Sequence, residues 1–187
     1  MVDKAFSMFP EINTERLNLR QIKQEDRESI YEILSNFEVI KYDTFELFTN
    51  MKQAEDMINW FDEAFKQNQA IFWGISFKSS SEIIGFCKCE IEIPKVRADF
   101  GYDLNPKHWN KGIITEALSA IMNFTFNALD VNRIEATVST ENIASIKVLK
   151  KLGFTQEGIL RERSYLRGSY HDMIMFSILK NEYLSAT

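Results

Sequence analysis

Three observations predict a mixed α/β domain of the α+β kind. Short runs that alternate apolar and polar residues are interleaved with longer stretches in which apolar residues recur every three or four positions, the two periods of strand and helix. Their order is strand, two helices, three strands, helix, strand, helix, two strands, which is neither strict β-α alternation nor an all-β pattern. Finally, 45% hydrophobic residues, including 15 phenylalanines among 187 residues, supply a core for a single domain over 1–187. Three prolines and seven glycines leave little for linkers or low-complexity segments.

Residues 1–13 read as a loosely held start. Arg16 to Ile22 alternates, with Leu17 and Leu19 on one face, and is expected to be a strand. Lys23 to Asn36 has the charged, amphipathic pattern of a helix, with Ile30, Ile33 and Leu34 as its stripe. Glu38 to Phe48 is aromatic-rich and irregular, equally a substrate-side wall or a packed connection. Asn50 to Gln67 is a second helix, its core face running from Met51 through Ala54, Ile58 and Phe61 to Phe65. Ala70 to Phe77 and Glu82 to Ile93 form a hairpin around Lys-Ser-Ser-Ser. Arg97 to Leu104 follows a turn containing Pro94. A helix from Gly112 to Leu129 is apolar around most of its circumference, with a narrow polar stripe of Glu116, Ser119, Asn123 and Asn127. Val131 to Ser139 is a strand, and Asn142 to Leu152 a helix that ends at Gly153. Ile159 to Leu166 and His171 to Leu179 are the last two strands, turning at Arg167-Gly168-Ser169.

The net charge of −5 disfavours a general nucleic-acid binder and is compatible with a cationic substrate. Cys87 and Cys89 lie two apart on a strand, a poor geometry for a mutual disulfide, and read as packing rather than metal ligands. No metal is expected. No apolar run reaches the ~18 residues of a membrane span, and the N-terminus lacks a charged head before an apolar core. A reduced, cytoplasmic protein without a membrane partner is the expectation.

Two corners carry candidate chemistry. At Asp103–Ala117 a strand gives way to a short loop stiffened by Pro106, and Gly112 opens the apolar helix. A helix start has unpartnered N–H groups and partial positive charge, so with a glycine beside it the corner can cradle phosphate. Taken alone, such a segment is more often an ordinary strand-loop-helix connection. At the second corner Asn142 is a good N-cap, and Ser145 lies one turn on, on the side of Val148, Leu149 and Leu152. Ser145 is then either part of a plain capping pair, the commoner case, or aimed into a cleft.

The block Asn142-Ile-Ala-Ser145-Ile-Lys147-Val-Leu-Lys-Lys-Leu-Gly153-Phe154, followed by Glu157-Gly158 and Arg161-Glu162, resembles the second signature block of the GNAT acyl-CoA N-acyltransferase superfamily. More narrowly it is similar to the RimJ/RimL-type ribosomal-protein N-acetyltransferase branch, as are Thr-Glu-Arg-Leu-Asn-Leu-Arg at 14–20, Gly101-Tyr102 to Ala117, and Tyr170-His171-Asp172. The resemblance implies a mostly antiparallel mixed sheet of about seven strands with a splayed pair, flanked by about four helices. It implies acetyl-CoA as co-substrate, its pantetheine arm along the strand end at Leu104 and its pyrophosphate on the loop and helix start Trp109, Asn110, Lys111, Gly112, Ile113, Ile114 and Thr115. Trp109 and Ile114 depart from the usual loop pattern, Ile114 standing where a small residue is common.

The implied reaction is direct attack of a primary amine on the thioester. Backbone N–H at the strand end would polarise the carbonyl. Ser145 is expected to protonate or hydrogen-bond the departing thiolate, with Asn142 ordering the site; other branches use a tyrosine on this helix, and none lies between Tyr102 and Tyr165. Base candidates are Asp99, Glu90, Glu92 and Glu162, each also readable as a surface charge. His108 reads as a solvated loop residue and His171 as a hairpin pair. Lys147 is the candidate for the CoA 3′-phosphate, ahead of Lys150 and Lys151. An α-amine with a pKa of about 8 is about 10% neutral at pH 7, a lysine only about 0.04%, so the lack of an obvious base points to an α-amine. The acceptor is then a protein N-terminus, with a small amine (amino acid, polyamine or aminoglycoside) and a non-catalytic CoA-binding module as alternatives. A homodimer is compatible with the apolar terminal hairpins.

Overall fold

The computed structural model describes residues 6–92 and 97–186. Its sheet of eight strands runs in the order β1-β2-β3-β4-β5-β6-β8-β7. The strands are β1 Ile12–Asn13, β2 Leu17–Gln21, β3 Ala70–Phe77, β4 Gly85–Ile91, β5 Arg97–Leu104, β6 Arg133–Ser139, β7 Thr155–Leu166 and β8 Ser169–Leu179. Six α-helices accompany them among the described residues: α1 Arg27–Leu34, α2 Phe37–Ile40, α3 Met51–Lys66, α4 Ile113–Asn127, α5 Ile143–Lys151 and α6 Lys180–Ala186. All neighbouring strands are antiparallel except β5 and β6.

The counts exceed the sequence expectation for local reasons. β1 is two residues long, inside the segment read as a loose start, and pairs Ile12 with Leu19. The helix expected over Lys23–Asn36 begins as a 3-10 turn at Gln24–Asp26, because Asp26 accepts from the Lys23 N–H at 2.9 Å and from Arg20 at 2.8 Å. α2 interrupts the segment expected to be irregular, its start fixed by the Asn36 side chain accepting from the Glu38 N–H at 3.0 Å. β4 starts at Gly85 rather than Glu82, and a Cβ on Gly85 would sit 2.5 Å from the Asp103 carbonyl oxygen of β5. β7 starts at Thr155 rather than Ile159; its polar opening Thr-Gln-Glu-Gly reads as loop but pairs with β8 as an edge strand. The turn at Pro94 and the end of the strand at Ile93 lie outside the described residues.

Both faces of the sheet carry a core, but not over the same strands. On one face α4 and α5 pack over its full centre, with Ile113, Ile114, Leu118, Ile121 and Phe126 meeting Cys87, Cys89, Phe100 and Ile134. On the other face α1 and α3 cover β3 and β4 only, through Ile30, Ile58, Phe61, Phe72 and Phe86. β3 is buried along almost its whole length, as its continuous run Ala-Ile-Phe-Trp requires. Beyond β4 the longer helices stop and only the single-turn α2 reaches β5, and there the cleft described below lies.

Candidate active site

The corner after β5 is built from main chain. Asn105 caps a 3-10 turn, Pro106–His108, and the loop then passes through left-handed residues at Asn110 (φ 59°) and Gly112 (φ 73°) into α4. No side chain caps α4, and its first backbone bond runs from the Glu116 N–H to the Gly112 carbonyl at 3.1 Å. The N–H groups of Ile113, Ile114 and Thr115 therefore have no acceptor within the helix. Gly112 is exposed, and the nearest atom to a Cβ built there is an Arg16 nitrogen at 3.7 Å, so the space beside the donors is open. This is the chemistry of an anion cradle. Ile114 does not obstruct it: its side chain is buried in the core beneath.

Two side chains brace the loop. The Trp109 indole N–H donates to the Leu104 carbonyl at 2.7 Å. Arg16 donates to the Lys111 carbonyl at 3.1 Å and pairs with Glu116 at 2.6 Å, while Glu116 also accepts from Thr14. Glu116, read from the sequence as part of a narrow polar stripe, thus ties the start of α4 to the segment leading into β2, and it holds a cation next to the cradle. These hydrogen bonds hold its carboxyl below the ordinary glutamate range, against the opposing effect of burial.

β5 and β6 then part. They pair only at Arg97–Arg133, Ala98–Ile134 and Asp99–Glu135, although β5 continues to Leu104 and β6 to Ser139. The splay expected from the resemblance is present. Across it stands α5, whose N-cap Asn142 accepts from the Ser145 N–H at 3.1 Å. Ser145 is buried, and its hydroxyl shares a 2.5 Å hydrogen bond with the hydroxyl of Tyr102 on β5. The two readings of this corner both hold: Asn142 caps the helix, and Asn142 and Ser145 also line a cleft. Burial pushes the Tyr102 phenol above its ordinary value, so it stays protonated.

The cleft, about 910 Å³, runs from this hydroxyl pair through the splay to the uncovered sheet face. Among the described residues six carboxylates line it (Asp43, Glu90, Glu92, Asp99, Asp103 and Glu135) against three cations (Lys88, Arg97 and Arg163). Lys88 lies 3.0 Å from Glu90 and 3.1 Å from Asp99; Arg97 lies 2.5 Å from Glu92 and 3.0 Å from Glu135. Asp99 is therefore at the cleft but already paired, its carboxyl raised by burial and partly restored by Lys88. Glu162 is exposed on β7 and is not part of the lining, though its neighbours Arg163 and Ser164 are.

Comparison with known sequences decides the family: the profile of the acetyltransferase (GNAT) domain matches residues 16–155. The chain is a GNAT acetyltransferase. It is 41% identical over 171 residues to the uncharacterized N-acetyltransferase p20 of Bacillus licheniformis, covering 91% of this chain and 96% of that one. It is 26% identical over 174 residues to spermidine N(1)-acetyltransferase of Escherichia coli K12, with 90% and 89% covered. Among solved structures, a GNAT acetyltransferase of Bacillus anthracis superposes with a TM-score of 0.83 at 25% identity, over 92% of this chain and 100% of that one. RimL, a ribosomal L7/L12 α-N-protein acetyltransferase in complex with coenzyme A, superposes at 0.84 with 22% identity, over 92% and 99%.

Acetyl-CoA is the co-substrate of this GNAT enzyme, and the cradle fits it: uncapped donors, an open glycine and a nearby arginine suit a pyrophosphate. Trp109 to Thr115 form the loop after the 3-10 turn and the start of α4. Lys147 is exposed on α5 and does not line the cleft. His108 is not solvated as expected but half-buried edge-on to Phe77, its Nδ1 without a partner among the described residues, and desolvation lowers its pKa. His171 pairs with Ser169 at 2.8 Å within the hairpin. Cys87 and Cys89 are buried free thiols facing the α4 core, and burial pushes the Cys89 thiol up to about 12. Sequence reading missed Tyr102 as the partner of Ser145, and Asp103 altogether. The signal for Asp103 is its position, an acid with the parity of Asp99 at the last turn of the splayed strand.

Proposed function

We propose that this GNAT enzyme acetylates a protonated primary amine that enters from the acidic face of the sheet, and that the acceptor is the α-amine of a protein N-terminus. The observation that carries the reading is the continuity of the cleft from six carboxylates to the Ser145–Tyr102 hydroxyls through the splay. Acetyl-CoA supplies a thioester whose carbonyl carbon the amine attacks directly. The α4 donors and Gly112 hold its phosphates, and the unpaired edge of β5 offers main-chain groups to the arm that follows. Ser145 gives its proton toward the departing sulfur, and Tyr102 stabilises and reprotonates it through their shared bond. The acids attract and orient the ammonium.

An α-amine suits a cleft whose lining, among the described residues, holds carboxylates but no histidine, because its pKa of about 8 calls for only a weak base. The likeness of residues 142–158 to the RimJ/RimL branch supports the same choice. A second reading, a polyamine acceptor, is favoured by the excess of carboxylates over cations and by the E. coli spermidine acetyltransferase among the relatives.

The test is thiol release from acetyl-CoA with three acceptors: lysine-free peptides bearing a free N-terminus, the same peptides with the N-terminus blocked and one lysine added, and spermidine. Turnover with the first set alone supports the α-amine reading. Preference for spermidine replaces it with the second. Thermal midpoints with acetyl-CoA, CoA and ATP run alongside, and the first two should raise the midpoint where ATP does not.

A further inference from the structure

Asp103 differs from every other acid at the cleft. It is 7% exposed, lines the cavity, and has neither an ion-pair partner nor a hydrogen-bond donor among the described residues. Glu90, Glu92, Asp99 and Glu135 are each held by Lys88 or Arg97. Asp43 spends one carboxylate oxygen on the N–H groups of Thr44 and Phe45, at 2.6 and 3.3 Å. A carboxyl that opens on a cleft and takes no donor from the protein is free to take one from a ligand there. Its place is also specific: Asp103 directly follows Tyr102, whose hydroxyl meets Ser145, on the strand that forms one wall of the splay.

We propose that Asp103 is the catalytic residue that receives the acceptor ammonium and takes its first proton. The assignment rests on the acetyltransferase reading above and deepens it. The balance is simple. The ammonium R–NH₃⁺ gives one proton to the Asp103 carboxylate and becomes R–NH₂. Its nitrogen bonds to the acetyl carbon as the carbon–sulfur bond breaks, the sulfur keeping the electron pair. The nitrogen gives its second proton to the Ser145–Tyr102 hydroxyl pair as the amide forms, and that pair gives one to the sulfur through Ser145. Asp103 then releases its proton to solvent, so the net products are the acetamide, the free thiol and one proton.

The surroundings suit that task. Burial, and after it the neighbouring Asp43 carboxylate, hold the Asp103 carboxyl well above the ordinary carboxylate range. Besides Asp43 on the segment after α2, the titratable groups close to it are the Cys87 thiol on β4 and the Tyr102 phenol, and burial keeps both protonated. A carboxyl raised in this way is a stronger base toward an amine than a solvated one. Asp99, paired with Lys88, lacks that property.

Two measurements on the whole protein test the assignment. The first is steady-state kinetics of Asp103→Asn and Asp103→Glu with the free-N-terminus peptides and spermidine, with the acetyl-CoA thermal shift as the check on folding. Asp103→Asn should keep that shift, lose about 100-fold in kcat/KM, and lose the low-pH limb of the profile, in which the rate rises as Asp103 deprotonates. Asp103→Glu should recover part of the rate. The second is carboxyl ¹³C NMR of aspartate-labelled wild-type protein with CoA present. The resonance that either variant removes should titrate above the other aspartates, and its midpoint should fall when spermidine or the peptide is added. Wild-type kcat/KM and pH profile in Asp103→Asn would overturn the assignment and leave the acetyltransferase reading standing. A resonance moved by amine in a protein that acetylates none of them would keep Asp103 as the ammonium site and remove the transfer reading. A resonance indifferent to every amine overturns the assignment.

Discussion

The two mouths of the splay between β5 and β6 are made of different materials. The cofactor side is main chain: N–H groups of Ile113 to Thr115 at an uncapped helix start, a left-handed Gly112, and side chains turned into the core beneath. The acceptor side is side chain: six carboxylates and three cations from the segment after α2 and from β4, β5, β6 and β7. A main-chain site tolerates a change of side chain as long as the backbone path survives, which is why Ile114 can stand in the loop. A side-chain site changes its chemistry with each substitution. On the function proposed above, the difference teaches where specificity would reside: acetyl-CoA recognition in the path of the backbone, and acceptor choice in a handful of charges.

The largest effect should come from attacking the backbone path itself. Gly112→Glu forces a side chain onto φ 73° and puts a negative charge beside the phosphate donors. It should abolish the acetyl-CoA thermal shift, whereas Ile114→Ala, which alters only the core side of the same loop, should lower the midpoint of the free protein yet leave the shift in place. A Gly112→Glu protein that still gains a full shift would mean that the phosphates lie elsewhere and that the comparison is drawn in the wrong place.

Next in size is the point where the two mouths meet. Ser145→Ala should reduce kcat by about 100-fold with acetyl-CoA affinity within a few-fold, since the role proposed for its hydroxyl is at the leaving sulfur. Tyr102→Phe removes the partner at 2.5 Å but leaves Ser145 in place, so a loss of about 10-fold is expected. Rapid-quench kinetics on the double variant sharpen this further: if the hydroxyls act as a unit, the double variant should be no slower than Ser145→Ala alone. Fully multiplicative losses would show two independent roles.

The same contrast explains what could be read from the sequence. The cradle and the α5 cap are local: Asn142 and Ser145 are one turn apart, and Gly112 opens the helix it serves. Residue type and spacing suffice there. The order of the main elements was legible for the same reason, because period and capping act over a few residues. What failed was non-local. Tyr102 and Ser145 are 43 positions apart, and Arg16 and Glu116 are 100 apart, so only the fold joins them. Asp99 and Glu162 looked alike in the sequence, yet one faces the cleft paired to Lys88 and the other lies outside it. The start of β7 was hidden because an edge strand can be polar throughout its opening turns.

A position away from both mouths supplies the control, and with it the smallest effect. Glu157 at the opening of β7 takes two bonds of 2.7 Å from Arg133 and one of 2.6 Å from Ser177, and these partners pull its carboxyl down from the ordinary 4.5 to about 2. A carboxyl lowered by folding stabilises the fold above its unfolded pKa, and that contribution is lost as the pH falls toward the folded value. The window here runs from about 4.5 down to about 2. Because the Glu157 side chain is 40% exposed, solvent screens the pair, and Glu157→Gln should cost only about 1 kcal/mol at neutral pH. Urea unfolding followed across acid pH should show the wild-type advantage shrinking through that window and gone below it, while kcat and acetyl-CoA affinity at neutral pH stay as they were. A Glu157→Gln protein that loses turnover at undiminished stability would show that this end of the sheet feeds into the acceptor cleft through β6, and the division into two mouths would then have to include a third contributor.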